Sequence, residues 1–167
     1  DGTIKTFSSA KIKELEAVVE EIDGKAIIWA NFTHDIESIV ELLTKMYGEN
    51  SVVSYYGATS TDQRDYAMSS FQNQNSPVRF FVGQPRTGGY GLTLTQASTV
   101  IYYSNSYDLE VRLQSEDRAH RIGQVNKVTY IDIIAEKTVD EKVLQALRSK
   151  IDIASVVLQE NVTDWIV

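Results

Sequence analysis

Lys25–Tyr56 reads KAIIWANFTHDIESIVELLTKMYGENSVVSYY, and this stretch decides the fold. Its first six residues, Lys25 to Ala30, form a short apolar run. Asp35 to Tyr47 then repeats apolar residues at helical spacing, and Val52 to Tyr56 is again rich in branched and aromatic side chains. Strand, helix, strand within 32 residues is a βαβ unit, which implies parallel strands. Outward from it, Val78 to Val82, Val100 to Tyr103 and Val128 to Ile134 read as further buried strands. Ser9 to Ile22, Thr61 to Phe71, Asp108 to Arg121 and Thr138 to Leu158 read as helices. Thr33 or Asp35, Ser60 and Thr138 are candidate N-caps, and Thr138 with Glu141 has capping-box spacing. Pro77 and Pro85 flank the third strand, where residues excluded from strand and helix interiors belong. The expected class is α/β, with a mostly parallel sheet and helices on both faces. In such a sheet ligands gather beyond the carboxyl ends of the strands. The loops after Ala30, Tyr56, Val82, Tyr103 and Ile134 are therefore the ones to watch.

A chain of 167 residues, 43% hydrophobic, suits one domain with a proper core, expected to span 1–167 with a leading helical segment at 1–24 and a closing helix at 138–158. There is no cysteine, hence no disulfide framework or thiolate metal site, and His34 and His120 are too few for a histidine-rich one. No apolar run approaches the roughly 20 residues a membrane helix needs, and the first residues lack a signal-peptide core. An intracellular protein is expected, cytoplasmic in a prokaryote or virus-infected cell and nuclear in a eukaryote. The Asn31 and Asn161 sequons are then accidental. The start at Asp1 suggests a piece of a longer or processed polypeptide, and the piece is expected to be monomeric. The net charge of −7 argues against a protein that coats nucleic acid indiscriminately. Val78 to Tyr130 nonetheless holds six basic residues against four acidic ones, so this middle part is +2 and the rest of the chain −9.

Two segments in that middle part carry candidate chemistry. Gln84 to Leu94, QPRTGGYGLTL, follows the third strand, and its glycines let backbone turn tightly or approach a phosphate closely. A purely structural turn is the alternative. Gln114 to Gln124, QSEDRAHRIGQ, sets Gln114, Arg118 and Arg121 within roughly 60° of one another on a helix. Two guanidiniums and an amide aimed the same way suit an anionic ligand such as a triphosphate. The alternative is a solvated face on which Arg121 pairs with Asp117 and Arg112 with Asp108. The chain contains neither the Walker A pattern G-x-x-x-x-G-K-S/T nor a G-x-G-x-x-G after the first strand.

Taken together, TGGYGLTLTQAS, the strand VIYY and QSEDRAHRIGQ resemble motifs V and VI of the superfamily-2 helicase-like ATPases of the Swi/Snf type. KAIIWANFTHDIESIVELL is similar to motif IV, YYGATSTDQRDYAMSSF to the block after it, and VTYIDIIAEKTVDEKVLQALRSK to the closing strand and helix. The resemblance runs from Lys25 to Leu158, about four fifths of the chain. It implies the second of two RecA-like lobes, a three-layer domain, in a DNA translocase that clamps ATP with Mg2+ between its lobes. The first lobe of such a motor carries the phosphate loop, the metal-binding acid pair and the catalytic glutamate. A chain without Walker A and B motifs is then expected to be inactive alone. Arg118 and Arg121 would be arginine fingers reaching the γ-phosphate, with Gln114, Gly89 and Gly91 on the nucleotide side.

The same resemblance turns the loops after the first three strands toward duplex DNA, with Asn31, Gly57, Thr59, Arg86 and Thr87 as candidate phosphate contacts. Asn31 and Thr59 are equally good turn or cap residues. His34 reads as a surface residue and His120 as a support for the arginine helix. Tyrosines 55, 56, 102 and 103 read as strand packing. Ser104-Asn-Ser-Tyr-Asp-Leu109 stands where many family members have Asp-Pro-Trp-Trp-Asn-Pro, which leaves Tyr107 in a tryptophan's place. Gln84-Pro85 replaces the usual Ser-Thr, and Thr93 an asparagine. A RecA-like module that only docks on DNA or a protein partner is the alternative function.

Overall fold

The computed structural model describes residues 2–87, 92–120 and 127–158, with side chains over residues 10–153 of those ranges. Ten principal elements follow in chain order: α1 (Gly2–Glu21), β1 (Lys25–Trp29), α2 (Thr33–Tyr47), β2 (Val52–Tyr55), α3 (Thr61–Gln72), β3 (Phe80–Gly83), β4 (Ala97–Tyr102), α4 (Leu109–Asp117), β5 (Thr129–Asp132) and α5 (Val139–Leu158). A 3-10 turn, Glu49–Ser51, precedes β2. The five strands form one sheet in the order β2-β3-β1-β4-β5, every neighbouring pair parallel.

Alternation along the strands divides the core in two. Ala26, Ile28, Phe80, Val82 and Ile101 point to one face and pack against Leu15 and Val19 of α1 and Ile36, Ile39 and Leu43 of α2. Ile27, Trp29, Phe81, Val100 and Tyr102 point to the other, against Ala67 and Phe71 of α3 and Leu92, Leu94 and Ala119. This is the expected three-layer α/β/α arrangement, and its handedness follows from crossover geometry. The β1 to β2 connection runs one way across the sheet, and all later connections run the other way. Right-handed crossovers therefore put α2 on one face and α3 and α4 on the opposite one. Tyr102 and Tyr103 are fully buried and Tyr55 packs on Phe81, so these tyrosines are strand packing as read from sequence.

Element ends differ from the sequence reading in instructive ways. Ser60 caps α3 with a full capping box to Gln63. Neither Thr33 nor Asp35 caps α2, whose N-cap is Phe32 with no side-chain bond. Thr138 accepts the Asp140 amide at 3.2 Å, and Asp140 rather than Glu141 reaches back, accepting the Ala135 amide. Helix α1 starts at Gly2, well before Ser9, because the Ser8-Ser9 pair is only a weak helix former and not a barrier. Helix α4 stops at Asp117, not Arg121. The Arg118 and Ala119 amides fold back three residues, to Ser115 and Glu116, tightening the last turn.

Candidate functional site

The strand ends lie in a single row. Pairing sets Tyr55 beside Gly83, Gly83 beside Trp29, Trp29 beside Tyr102 and Tyr102 beside Asp132. The loops that leave this row emerge side by side, about 4.8 Å apart per strand. Strand β1 sits between β3 and β4, and the connection that leaves it crosses the opposite face from those that leave β3 and β4. The sheet thus parts into a crevice above β1, the place where open parallel sheets bind ligands. A cleft of about 340 Å³ occupies that position, lined by Asn31, Phe32, Gln84, Pro85, Arg86, Ser106 and Tyr107 among others. Phe32 is 65% exposed and Tyr107 48%, so two aromatic side chains stand in solvent at its border.

Hydrogen bonds hold the three loops together. The Asn31 amide donates to Ser104 Oγ at 2.9 Å, and Gln84 Nε2 donates to the Asn31 carbonyl at 3.1 Å. Thr87 Oγ1 donates to Gln84 Oε1 at 3.0 Å. Lys150 of α5 donates to the Tyr107 carbonyl. Asn31 therefore spends its backbone on the frame and keeps its side chain on the cleft wall. Arg86 reaches Asp108 at 3.2 Å, but side-chain exposures of 67% and 37% make this a weak, exchangeable pair.

The other sequence candidates fall in different places. Gly57 lies two strands away from β1, after β2, with open space where a Cβ would stand. Thr59 is buried, and its hydroxyl accepts the Tyr56 amide at 3.1 Å, which is the turn role foreseen as its alternative. Gln114 donates to Glu110 at 3.0 Å along the outside of α4. Arg118 is the C-cap of α4, only 6% exposed, and its carbonyl accepts the Leu94 amide at 2.9 Å. The segment after the glycine-rich stretch and the C-terminal end of α4 are thus in direct contact. Gly89, Gly91 and Arg121 lie outside the described residues.

Arg112 does not make the pair with Asp108 that the solvated-face alternative would give it. Asp108 instead caps α4, accepting the Val111 amide, and pairs with Arg86. Arg112 Nε donates to Glu116 at 2.7 Å, and its two terminal nitrogens grip both oxygens of Asp132 at 2.6 and 3.1 Å. Burial would lower its pKa, yet the Asp132 hydrogen bonds and the charges around it outweigh that and push it up. Burial also raises the Glu116 carboxyl, against the lowering by the Arg112 charge and hydrogen bond. Only Asp132 on β5 could have suggested this network, and its distance along the chain hid it.

The chain matches the family described as "Helicase conserved C-terminal domain" over residues 10–123. Among curated proteins it is 29% identical over 153 residues to the human chromatin-remodeling ATPase INO80, covering 90% of this chain and 10% of the relative. It is 28% identical over 164 residues to the helicase SWR1 of Candida albicans, covering 96% of this chain and again 10% of the relative. The chain therefore spans about a tenth of the length of these relatives. Among solved structures, the C-terminal part of the Fun30 ATPase domain superposes with a TM-score of 0.73 at 25% identity, covering 82% of this chain and 44% of that one.

Proposed function

The chain belongs to the helicase conserved C-terminal domain family, as the second RecA-like lobe of a Swi/Snf-type superfamily-2 ATPase, and from that premise we propose that it supplies half of an ATP site and part of a DNA track. The observation that carries the reading is the Leu94–Arg118 contact, which joins the segment after the glycine turn to the end of the arginine helix.

ATP with its Mg2+ supplies the phosphoryl group to be transferred. Arg118 and Arg121 would present fixed positive charge to the phosphate oxygens as negative charge spreads over them, with Gln114, Gly89 and Gly91 on the nucleotide side. The fit is to one edge of a nucleotide. Among the described residues no cluster of three or more His, Asp or Glu could hold a metal ion, and the phosphate loop and metal ligands are assigned to a first lobe. Charge supplied from a second lobe makes closure of the two lobes a condition of hydrolysis.

The cleft above β1 is the proposed DNA contact. Arg86 can exchange Asp108 for a phosphate at little cost, and Asn31 and Thr87 are held beside it by Gln84. Contacts of this kind position a duplex without reading its sequence. Gly57 extends the same edge, and Thr59 shapes the turn that follows it.

The reading requires that the isolated chain hydrolyse no ATP, with or without duplex DNA, while the complete two-lobed motor is stimulated by DNA. DNA-stimulated turnover by the isolated chain would contradict the division of labour. A complete motor that binds DNA but never turns over would favour the docking-module alternative.

A further inference from the structure

We propose that Arg112 is a positioning residue: it fixes the seat of α4 on the sheet and ties the loop beside the cleft to the helix end that carries Arg118. The proposal rests on the reading of that helix end as the arginine-bearing half of an ATP site.

The first observation is what α4 lacks. The buried residues of this nine-residue helix are Ser115 and Glu116, neither of them apolar. Apolar contact is non-directional and does not by itself select one orientation of a helix. Hydrogen bonds lose strength steeply with distance and angle, so a helix seated on them is held in register.

Arg112 is the centre of that polar seat. Nε donates to Glu116 at 2.7 Å, Nη1 to Asn105 at 2.8 Å and to Asp132 at 2.6 Å, and Nη2 to the second Asp132 oxygen at 3.1 Å. Its guanidinium carbon lies 3.5 Å from the centre of the Tyr102 ring. Tyr102 in turn shares a 2.7 Å hydrogen bond with Ser115 on α4. The partners thus come from β4, β5, α4 itself and the loop between β4 and α4. An ammonium group could not meet them all, because its three donors lack the planar fork that reaches four acceptor oxygens and grips both of Asp132.

The network also connects the two proposed surfaces. Asn105, which donates to Asp132 at 2.8 Å, follows Ser104, the acceptor of the Asn31 amide. Glu116 lies two residues before Arg118. A continuous set of bonded residues therefore runs from the β1 loop to the end of the arginine helix. Against apolar packing of the same volume a buried ion pair gains little stability, whereas its directional bonds fix the geometry of the elements they join.

The test is made in the complete motor, first lobe included, with saturating duplex DNA. For Arg112→Gln we expect kcat to fall on the order of 10- to 100-fold, the scale of a ~1 Å misplacement. KM for ATP and Kd for DNA should stay within about threefold of the parent. Arg112→Lys should not restore kcat. A residue that served stability alone would lower the melting temperature and leave kcat unchanged below it, and that result overturns the proposal. If Arg112→Gln does not fold, Asp132→Asn, equal in size, takes its place: a reduced kcat is expected, and an unchanged one overturns the proposal. A parent motor without DNA-stimulated turnover would overturn the underlying reading, whereas an active parent with unaffected variants would overturn the positioning role alone.

Discussion

The Leu94 amide donates to the Arg118 carbonyl across 2.9 Å, so two segments separated by β4 and α4 in the chain meet at one point beside the sheet. Leu94 is also fully buried, in the core cluster that contains Ala119. One residue therefore serves the core with its side chain and the arginine helix with its backbone.

Leu94→Ala should destabilise the chain by about 2–5 kcal/mol, the range for truncating a buried leucine. Urea denaturation of the isolated chain measures it. A loss under about 1 kcal/mol would mean that the site collapses around the cavity, and that Leu94 does not anchor this junction.

Two glycines should respond differently. A Cβ at Gly83 would stand 2.7 Å from the Tyr55 carbonyl oxygen and 3.2 Å from the Trp29 ring, so Gly83→Ala must push strands apart. We expect a cost of about 1–3 kcal/mol, as for overpacking in general. Gly57→Ala meets nothing within 4 Å, and stability should change by no more than about 0.5 kcal/mol. A loss of DNA affinity in that variant would then report on the contact itself. Thermal unfolding and duplex titration of both variants check the pair.

Glu116 gives stability a pH dependence of predictable sign. Burial raises its carboxyl above the ordinary 4.5, so the folded state holds the proton more tightly than the unfolded chain does. This contribution is complete below the unfolded value and is lost as pH rises through the folded one. Glu116→Gln should remove that part of the decline above pH 4.5, read as the difference between parent and variant melting curves across mildly acidic pH. A difference that stayed flat, or that had the opposite slope, would contradict the assignment.

Arg86→Ala should leave stability within about 0.5 kcal/mol, because its pair with Asp108 is exposed. Binding of duplex DNA by the complete motor should weaken, and the dependence of log affinity on log salt should become shallower by about one. Titrations at several salt concentrations measure both. An unchanged slope would remove Arg86 from the DNA contacts.

Much of the fold was legible in the strands. The runs at Lys25, Val52, Val78, Val100 and Val128 all became strands in one parallel sheet, with ends within three residues of those read from the sequence. Strand order was not legible, because five buried apolar runs look alike and nothing in a period-two pattern names the neighbour. Ser60 announced its helix through its own side chain. The end of α4 did not announce itself, because it is set by turns folding back at Arg118 and Ala119 and by a partner, Leu94, from elsewhere in the chain. Thr59 and Arg112 teach the same lesson from two sides. A local hydroxyl took the local turn. A charge whose local alternative was a partner one turn earlier found Asp132, 20 residues later.

The most direct measurement is ATP turnover by the complete motor carrying Arg118→Ala or Arg121→Ala, at saturating DNA and with nucleotide binding measured in parallel. The account predicts retained ATP binding and a loss in turnover of about 10³-fold or more for Arg121→Ala, with a comparable loss for Arg118→Ala. Turnover within a few-fold of the parent in both would contradict the claim that this lobe completes the ATP site.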